Sequence, residues 1–148
     1  GDPTWLATDG LTLAASWSFN DTEMTRVPPN VSDIAGPGSR LALAPDVQYH
    51  VSARYDWSEA KFAPYAQVVY AYTGDQYSSI VVDNRFLQQS YNTVDASFGL
   101  HMENWSLELF GENLTDERAQ LFINSLDTDL RITTNRPRTY GVKVRYDY

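Results

Sequence analysis

The sequence predicts an all-β, antiparallel segment of a transmembrane β-barrel, about six strands of a larger barrel, with short turns at one end and long loops at the other. Three observations predict it. The closing segment, Arg138 to Tyr148, alternates without a break: Tyr140, Val142, Val144, Tyr146 and Tyr148 share one face, and Gly141, Lys143, Arg145 and Asp147 the other. The same alternation recurs in five earlier segments, each long enough to supply the ~9 to 11 residues of a tilted membrane-crossing strand. The connections between them alternate short and long, as in outer-membrane barrels. An apolar outer face over a charged inner face inverts the pattern of a soluble barrel, whose interior is apolar.

The first strand covers Leu11 to Asn20, with Leu11, Leu13, Ala15, Trp17 and Phe19 outward. The second, Leu43 to Trp57, sets Val47, Tyr49, Val51, Ala53, Tyr55 and Trp57 against a wholly polar face of Gln48, His50, Ser52, Arg54 and Asp56. The third, Lys61 to Thr73, places Phe62, Ala66, Val68, Tyr70 and Tyr72 opposite the mixed set Tyr65, Gln67, Val69 and Thr73. The fourth, Asn92 to Met102, turns Val94, Ala96, Phe98, Leu100 and Met102 outward and Thr93, Asp95, Ser97, Gly99 and His101 inward. The fifth, Trp105 to Asn113, opposes Trp105, Leu107 and Leu109 to Ser106, Glu108 and Glu112, with Phe110 its one inward apolar residue. The terminal strand is the sixth. Gly1 to Leu6 reads as the end of an earlier strand and Ala7-Thr8-Asp9-Gly10 as the tight turn after it.

Residues 57–61 and Glu103-Asn104-Trp105 are short turns, whereas 21–42, 74–91 and 114–137 are long, polar and rich in Gly, Pro, Asn and Asp. The C-terminus then lies on the short-turn side, which in a bacterial outer membrane is the periplasm. Aromatic residues gather near strand ends, as at a lipid–water boundary. Six strands cannot close a barrel with a lumen, and lipid cannot satisfy the open edges. Further strands upstream, or several copies of the chain, are therefore expected.

Composition limits the alternatives. Among 148 residues, 43% are hydrophobic and 14% aromatic, ten of them Tyr, yet no run approaches the ~20 apolar residues of a membrane helix. The absence of cysteine rules out disulfides and thiolate metal sites. A net charge of −8 with only eleven scattered Lys and Arg argues against a nucleic-acid partner. No nucleophile elbow, phosphate-cradling Gly loop or helical His pair points to an enzyme, and no cofactor is implied. The rival fold is a self-contained soluble β-sandwich or lipocalin-like ligand-binding module, in which the apolar faces would pack into one core.

Several words of the sequence, in order, carry a family resemblance: Asp9-Gly10-Leu11-Thr12-Leu13, Asp21-Thr22-Glu23, Leu43-Ala44-Pro45, the stretch Leu107 to Asp116 ending in Asn113-Leu114-Thr115-Asp116, and Arg136-Pro137-Arg138-Thr139-Tyr140-Gly141. Together they resemble the C-terminal barrel region of TonB-dependent outer-membrane receptors, over essentially the whole chain. The pairing of "NLTDE" with "RPRTYGV" and an aromatic terminus is the most specific element. The resemblance implies that residues 1–148 form roughly strands 17 to 22 of a 22-stranded barrel, without the N-terminal plug domain, the TonB-contacting box or the earlier strands. It implies a role as barrel wall and extracellular loops in an active transporter of a scarce nutrient, most often a ferric siderophore, in the bacterial outer membrane. The implied partners are outer-membrane lipid and lipopolysaccharide, the TonB energy-transducing complex through the missing part, the nutrient ligand, and the barrel-assembly machinery. That machinery would read the terminal strand as its signal, at Tyr140, Val142, Val144, Tyr146 and Tyr148.

Candidate site residues follow from face and loop position. His50, Arg54, Asp95, His101, Glu108, Lys143 and Arg145 are expected to line the lumen wall, together with Asp56, Glu112 and Asp147, chiefly as a salt-bridged surface. Because both are expected to face the lumen, His50 and His101 offer a metal or haem ligand pair as the minority reading, against the default of polar lumen residues. Among loop residues, Tyr77, Tyr91, Arg118, Phe122 and Arg131 are placed to touch a ligand, with Arg136 and Arg138 as further anion contacts. Asp116, Glu117, Asp127 and Asp129 match no calcium loop.

Overall fold

A computed structural model describes residues 3–23, 26, 40–79, 81, 86–124 and 131–148. Among these residues there is no helix, and the strands in chain order are β1 (Thr4–Thr8), β2 (Leu11–Phe19), β3 (Val47–Asp56), β4 (Tyr65–Thr73), β5 (Gln76–Tyr77), β6 (Leu87–Gln88), β7 (Tyr91–Met102), β8 (Trp105–Glu112), β9 (Gln120–Asn124), β10 (Arg131–Thr134) and β11 (Thr139–Tyr146). One seven-stranded antiparallel sheet has the order β1-β2-β3-β4-β7-β8-β11 and stays open, with β1 and β11 at its edges. Two short hairpins, β5–β6 and β9–β10, stand on the long connections.

The register keeps one face apolar from strand to strand. Tyr55, Ala66, Phe98, Leu109 and Val142 form one row across β3, β4, β7, β8 and β11. Two residues along, Ala53, Val68, Ala96, Gly111 and Tyr140 form the next. The opposite face repeats the polar set, for example Thr12, Arg54, Gln67 and Ser97. Because side chains alternate with period two, a single odd register slip would have mixed the faces; none occurs between β2 and β11.

Among the described residues no core lies over the apolar face. Among the described residues the buried hydrophobic side chains are Tyr65, Ala119 and Ile123, of which the first lies on the polar face and the others on the last long connection. Trp17 (45% exposed), Val51 (46%), Leu109 (49%) and Val142 (62%) are open to the surroundings. A soluble sandwich would cover these side chains with a second sheet, and the two hairpins do not.

The segment boundaries differ from the sequence reading for local reasons. The expected second strand loses residues 43–46 because Leu43 has φ 55° and Pro45 follows. Trp57 leaves it because its N–H donates to the Pro64 carbonyl at 2.9 Å, closing a turn over residues 57–64. Phe62 and Ala63, at φ 74° and 35°, lie in that turn, so the third strand begins at Tyr65 and Phe62 is not a strand residue. Asn20, Asn113 and residues 138, 147 and 148 also fall outside the strands. Ala7 and Thr8 belong to β1, which leaves Asp9-Gly10 alone as the turn. At the next tight turn, Trp105 already belongs to β8. Alternation could not foresee the hairpins, whose short strands lie inside polar connections.

Candidate functional site

On the polar face, side chains from four strands join into one belt. Arg54 at the end of β3 grips Asp56 with Nε and Nη2, at 2.8–3.1 Å. Its guanidinium carbon also sits 3.8 Å from the centre of the Tyr65 ring, a favourable seat for a cation. The Tyr65 hydroxyl crosses β7 to donate to Glu108 Oε2 at 2.5 Å, and Lys143 Nζ donates to Glu108 Oε1 at 2.7 Å. The row Asp56, Tyr65, Gly99, Glu108 and Lys143 is the register row itself. Lys143 also stands 5.2 Å from the Phe110 ring. Lower on the same face Arg145 pairs with Asp147 at 2.9 Å.

The remaining polar-face candidates stand apart. His50 occupies the row of Ala71 and Thr93, while His101 lies eight positions further along β7, about 26 Å at strand rise. The two histidines therefore share no ligand. Among the described residues no cluster of His, Asp and Glu could hold a metal ion. Asp95 serves the backbone, accepting the Asn113 N–H at 2.7 Å.

At the far end of the sheet, the two most specific sequence words are folded against each other. Asn113 has φ 51°, a region that asparagine tolerates, and its side chain is almost wholly buried. Its Nδ2 donates to the carbonyls of Glu117 (2.9 Å) and Arg136 (2.8 Å), while its Oδ1 accepts from the Glu117 N–H (2.9 Å) and the Thr115 hydroxyl (3.4 Å). Both amide donors and the acceptor are thus satisfied, as burial demands. Asp116 Oδ1 accepts the Arg138 N–H at 3.1 Å, and Arg138 Nη1 donates to the Leu114 carbonyl at 3.4 Å. The Arg138 backbone donor, with the Arg118 and Arg138 guanidinium groups nearby, holds the Asp116 carboxyl below its ordinary range.

The long connections meet along this rim. The Leu43 N–H donates to the Tyr77 carbonyl at 2.9 Å, joining the first to the second. Tyr91 at the start of β7 and Arg118 of the third line one open pocket of about 310 Å³ together with Leu87 and Ser90 of the second and Glu117. The structure does not bring the other loop candidates there: Tyr77 lies in β5, while Phe122 and Arg131 belong to the β9–β10 hairpin, paired with Thr133 and Asn124. Asp127 and Asp129 lie outside the described residues. Tyr140, Val142, Val144 and Tyr146 run along the apolar face of β11, and the Tyr146 ring packs 4.7 Å from Trp105 and 6.2 Å from Tyr148.

The sequence reading missed the roles of Tyr65 and Asn113. A signal for Tyr65 was present: a bulky aromatic at a polar-face position, with glycine at the polar-face positions Gly99 and Gly141. For Asn113 the signals were an asparagine at a strand end and its place at the head of the word Asn113 to Glu117, whose partner word begins at Arg136.

No protein-family model matches the chain, and no curated protein matches it. Solved structures do. The chain is similar to the ferric yersiniabactin uptake receptor FyuA from Yersinia pestis, at 20% identity and TM-score 0.77, over 99% of this chain and 22% of that one. It is similar to the siderophore receptor PiuA from Acinetobacter baumannii, at 17% identity and TM-score 0.75, over 98% and 20%. It also resembles the ferric-catecholate import receptor Fiu from E. coli K12, at 18% identity and TM-score 0.62, over 98% and 26%. The chain thus spans between a fifth and about a quarter of the length of these receptors and shares their fold over nearly all its own residues.

Proposed function

We propose that this chain is a stretch of barrel wall, with three extracellular loops, from a TonB-dependent receptor of the bacterial outer membrane. The receptor imports a scarce nutrient, a ferric siderophore, and the chain contributes no catalysis. The observation that carries this reading is the uncovered apolar face, continuous across seven strands and backed by a polar face. Lipid is the environment that stabilises such a face: an apolar band outside and a wet wall inside. The shared fold with three siderophore receptors supports the nutrient class.

In this reading the polar face is the lumen wall, with His50, Arg54, Asp95, His101, Glu108, Lys143 and Arg145 facing the interior. The long connections face outward, and the pocket of Tyr91 and Arg118 is the first place where an anionic chelate meets the chain; Tyr77, Phe122 and Arg131 are secondary contacts. The rim meets lipopolysaccharide. The apolar column of β11, with Tyr148 just beyond its end, is what the barrel-assembly machinery reads. The TonB complex acts through a plug and earlier strands outside these 148 residues.

The test is peptide mapping of the outer-membrane fraction of the source cell, with measurement of the polypeptide that carries this sequence. The expected mass is about four to five times that of this 16.8 kDa chain, from the 22% share of FyuA that it covers. A product of this length alone, in the soluble fraction, overturns the reading.

A further inference from the structure

In–out alternation cannot by itself fix how these strands pair. A slip of one residue moves every apolar side chain to the wrong face, but a slip of two leaves the faces intact. If β11 slid two positions along β8, Leu109 would meet Tyr140 or Val144 instead of Val142, and the apolar rows would remain apolar. Tight turns remove this ambiguity where they exist, as between β7 and β8, joined by residues 103–104 alone. The β2–β3 pairing, joined through residues 20–46, has no such help, and neither have two others: β4 and β7 are joined through residues 74–90, and β8 and β11 through residues 113–138.

Those two pairings carry the same device on the polar face. Tyr65 of β4 is the direct register partner of Gly99 in β7, and Phe110 of β8 that of Gly141 in β11. Each aromatic ring lies over the glycine opposite, so closely that a Cβ at Gly99 would overlap the Tyr65 ring and one at Gly141 the Phe110 ring. Tyr65 is held in place by Glu108 and covered by Arg54, and Lys143 Nζ stands 5.2 Å from the centre of the Phe110 ring. After a slip of two, Tyr65 would face Ser97 or His101, and Phe110 would face Thr139 or Lys143. Each of these residues has a Cβ where the ring now rests. The β2–β3 pairing, also joined by a long connection, has no glycine opposite an aromatic; instead Asn20 holds its loop end through Asp46 (2.9 Å) and Pro45 (3.2 Å).

We infer that Tyr65 over Gly99 and Phe110 over Gly141 are register keys, selecting one pairing from the set, spaced by two residues, that the hydrophobic pattern leaves equivalent. Glu108, shared by Tyr65 and Lys143, couples the two keys, so correct pairing of β4 with β7 favours correct pairing of β8 with β11.

The test uses engineered thiols in the intact polypeptide that carries this chain, which is free of cysteine over these residues. Leu109→Cys with Val142→Cys reports the native register; Leu109→Cys with Val144→Cys or with Tyr140→Cys reports a slip of two. After mild oxidation the native pair is expected to dominate. Phe110→Ala, which opens space without a clash, should lower the native-to-slipped ratio about tenfold, and Gly141→Ala should do so by forcing the ring off its seat, the order of effect that one overpacked side chain produces. The exchange Phe110→Gly with Gly141→Phe rebuilds the key from the other strand and should restore the native ratio. An unchanged native cross-link in Phe110→Ala overturns the inference. If either single variant fails to assemble, the exchange decides: native cross-linking supports the keys, and failure to recover it rejects them. The readout does not depend on what surrounds the apolar face, so it stands apart from the fractionation test above.

Discussion

Asn113 Nδ2 donates to the carbonyl of Arg136 at 2.8 Å, across 23 positions of sequence, and so closes the mouth of the β8–β11 pairing. The same amide shapes its own turn through Glu117. A buried side chain with every polar atom engaged is costly to truncate, because its partners lose their bonds without gaining water.

Asn113→Ala should therefore destabilise the rim by about 1–3 kcal/mol. Asn113→Gly, which relieves the positive φ but also lacks the amide, should cost nearly as much. Hydrogen exchange at residues 113–119 and 135–138 checks this. Unchanged protection in Asn113→Ala would show that the bonds to Arg136 and Glu117 do not hold the junction.

Asp116 gives the junction a pH dependence with a defined sign. Its carboxyl is held below the ordinary value by the Arg138 N–H and the guanidinium groups of Arg118 and Arg138. A depressed folded-state pKa contributes stability that is fully present above the unfolded value, about 4, and disappears as pH falls through the lower folded value. Protection of the Arg138 amide should thus exceed that of Asp116→Asn at neutral pH, and the gap should close only in acid below about pH 4. A gap that persists at the lowest pH would assign the effect to the shape of the side chain rather than to its charge.

Val51 is nearly half exposed, so in water an arginine there would be almost silent, within about 0.5 kcal/mol. Facing lipid at the bilayer midplane the same change costs about 2–4 kcal/mol. Val51→Arg should reduce the assembled fraction strongly, while Ser52→Arg on the opposite face should be tolerated. Heat-modified mobility in detergent gels distinguishes them. Equal tolerance of both changes would remove lipid from the apolar face.

Arg118 and Tyr91 share the rim pocket, so under the proposed receptor function each should matter for capture of a ferric chelate without mattering for assembly. Arg118→Ala is expected to weaken binding about tenfold or more, the range of a charge-assisted contact. Tyr91→Phe should be milder than Tyr91→Ala. Binding of labelled ligand to whole cells, normalised to receptor abundance, measures this; unaltered affinity in both variants would move the contact elsewhere.

The alternating positions of the seven-stranded sheet were legible because period two is written directly in such stretches as Val47 to Asp56 and Thr139 to Tyr146. That Arg54, Glu108 and Lys143 share one polar face followed from the same count. What alternation could not convey was contact between strands distant in sequence. That Tyr65 would reach Glu108 over Gly99, or that Asn113 would meet Arg136, depends on a register set by pairing rather than by local preference. The β9–β10 hairpin was hidden for a related reason, since its four- and five-residue strands lie in a polar stretch too short to show a pattern.

The belt from Asp56 to Lys143 runs perpendicular to strands whose ends do not stop at the same place. Asp56 is the last residue of β3, yet Gly99 lies three residues before the end of β7 and Lys143 three before the end of β11. Tyr65 likewise begins β4, and Glu108 lies three residues into β8, so the row is set back about 10 Å from the short-turn ends of β7, β8 and β11 in one step between β4 and β7. The Arg54–Asp56 pair therefore stands at the short-turn edge of the polar face, while Glu108 and Lys143 stand three residues further in, and the belt offers its two ends at two depths.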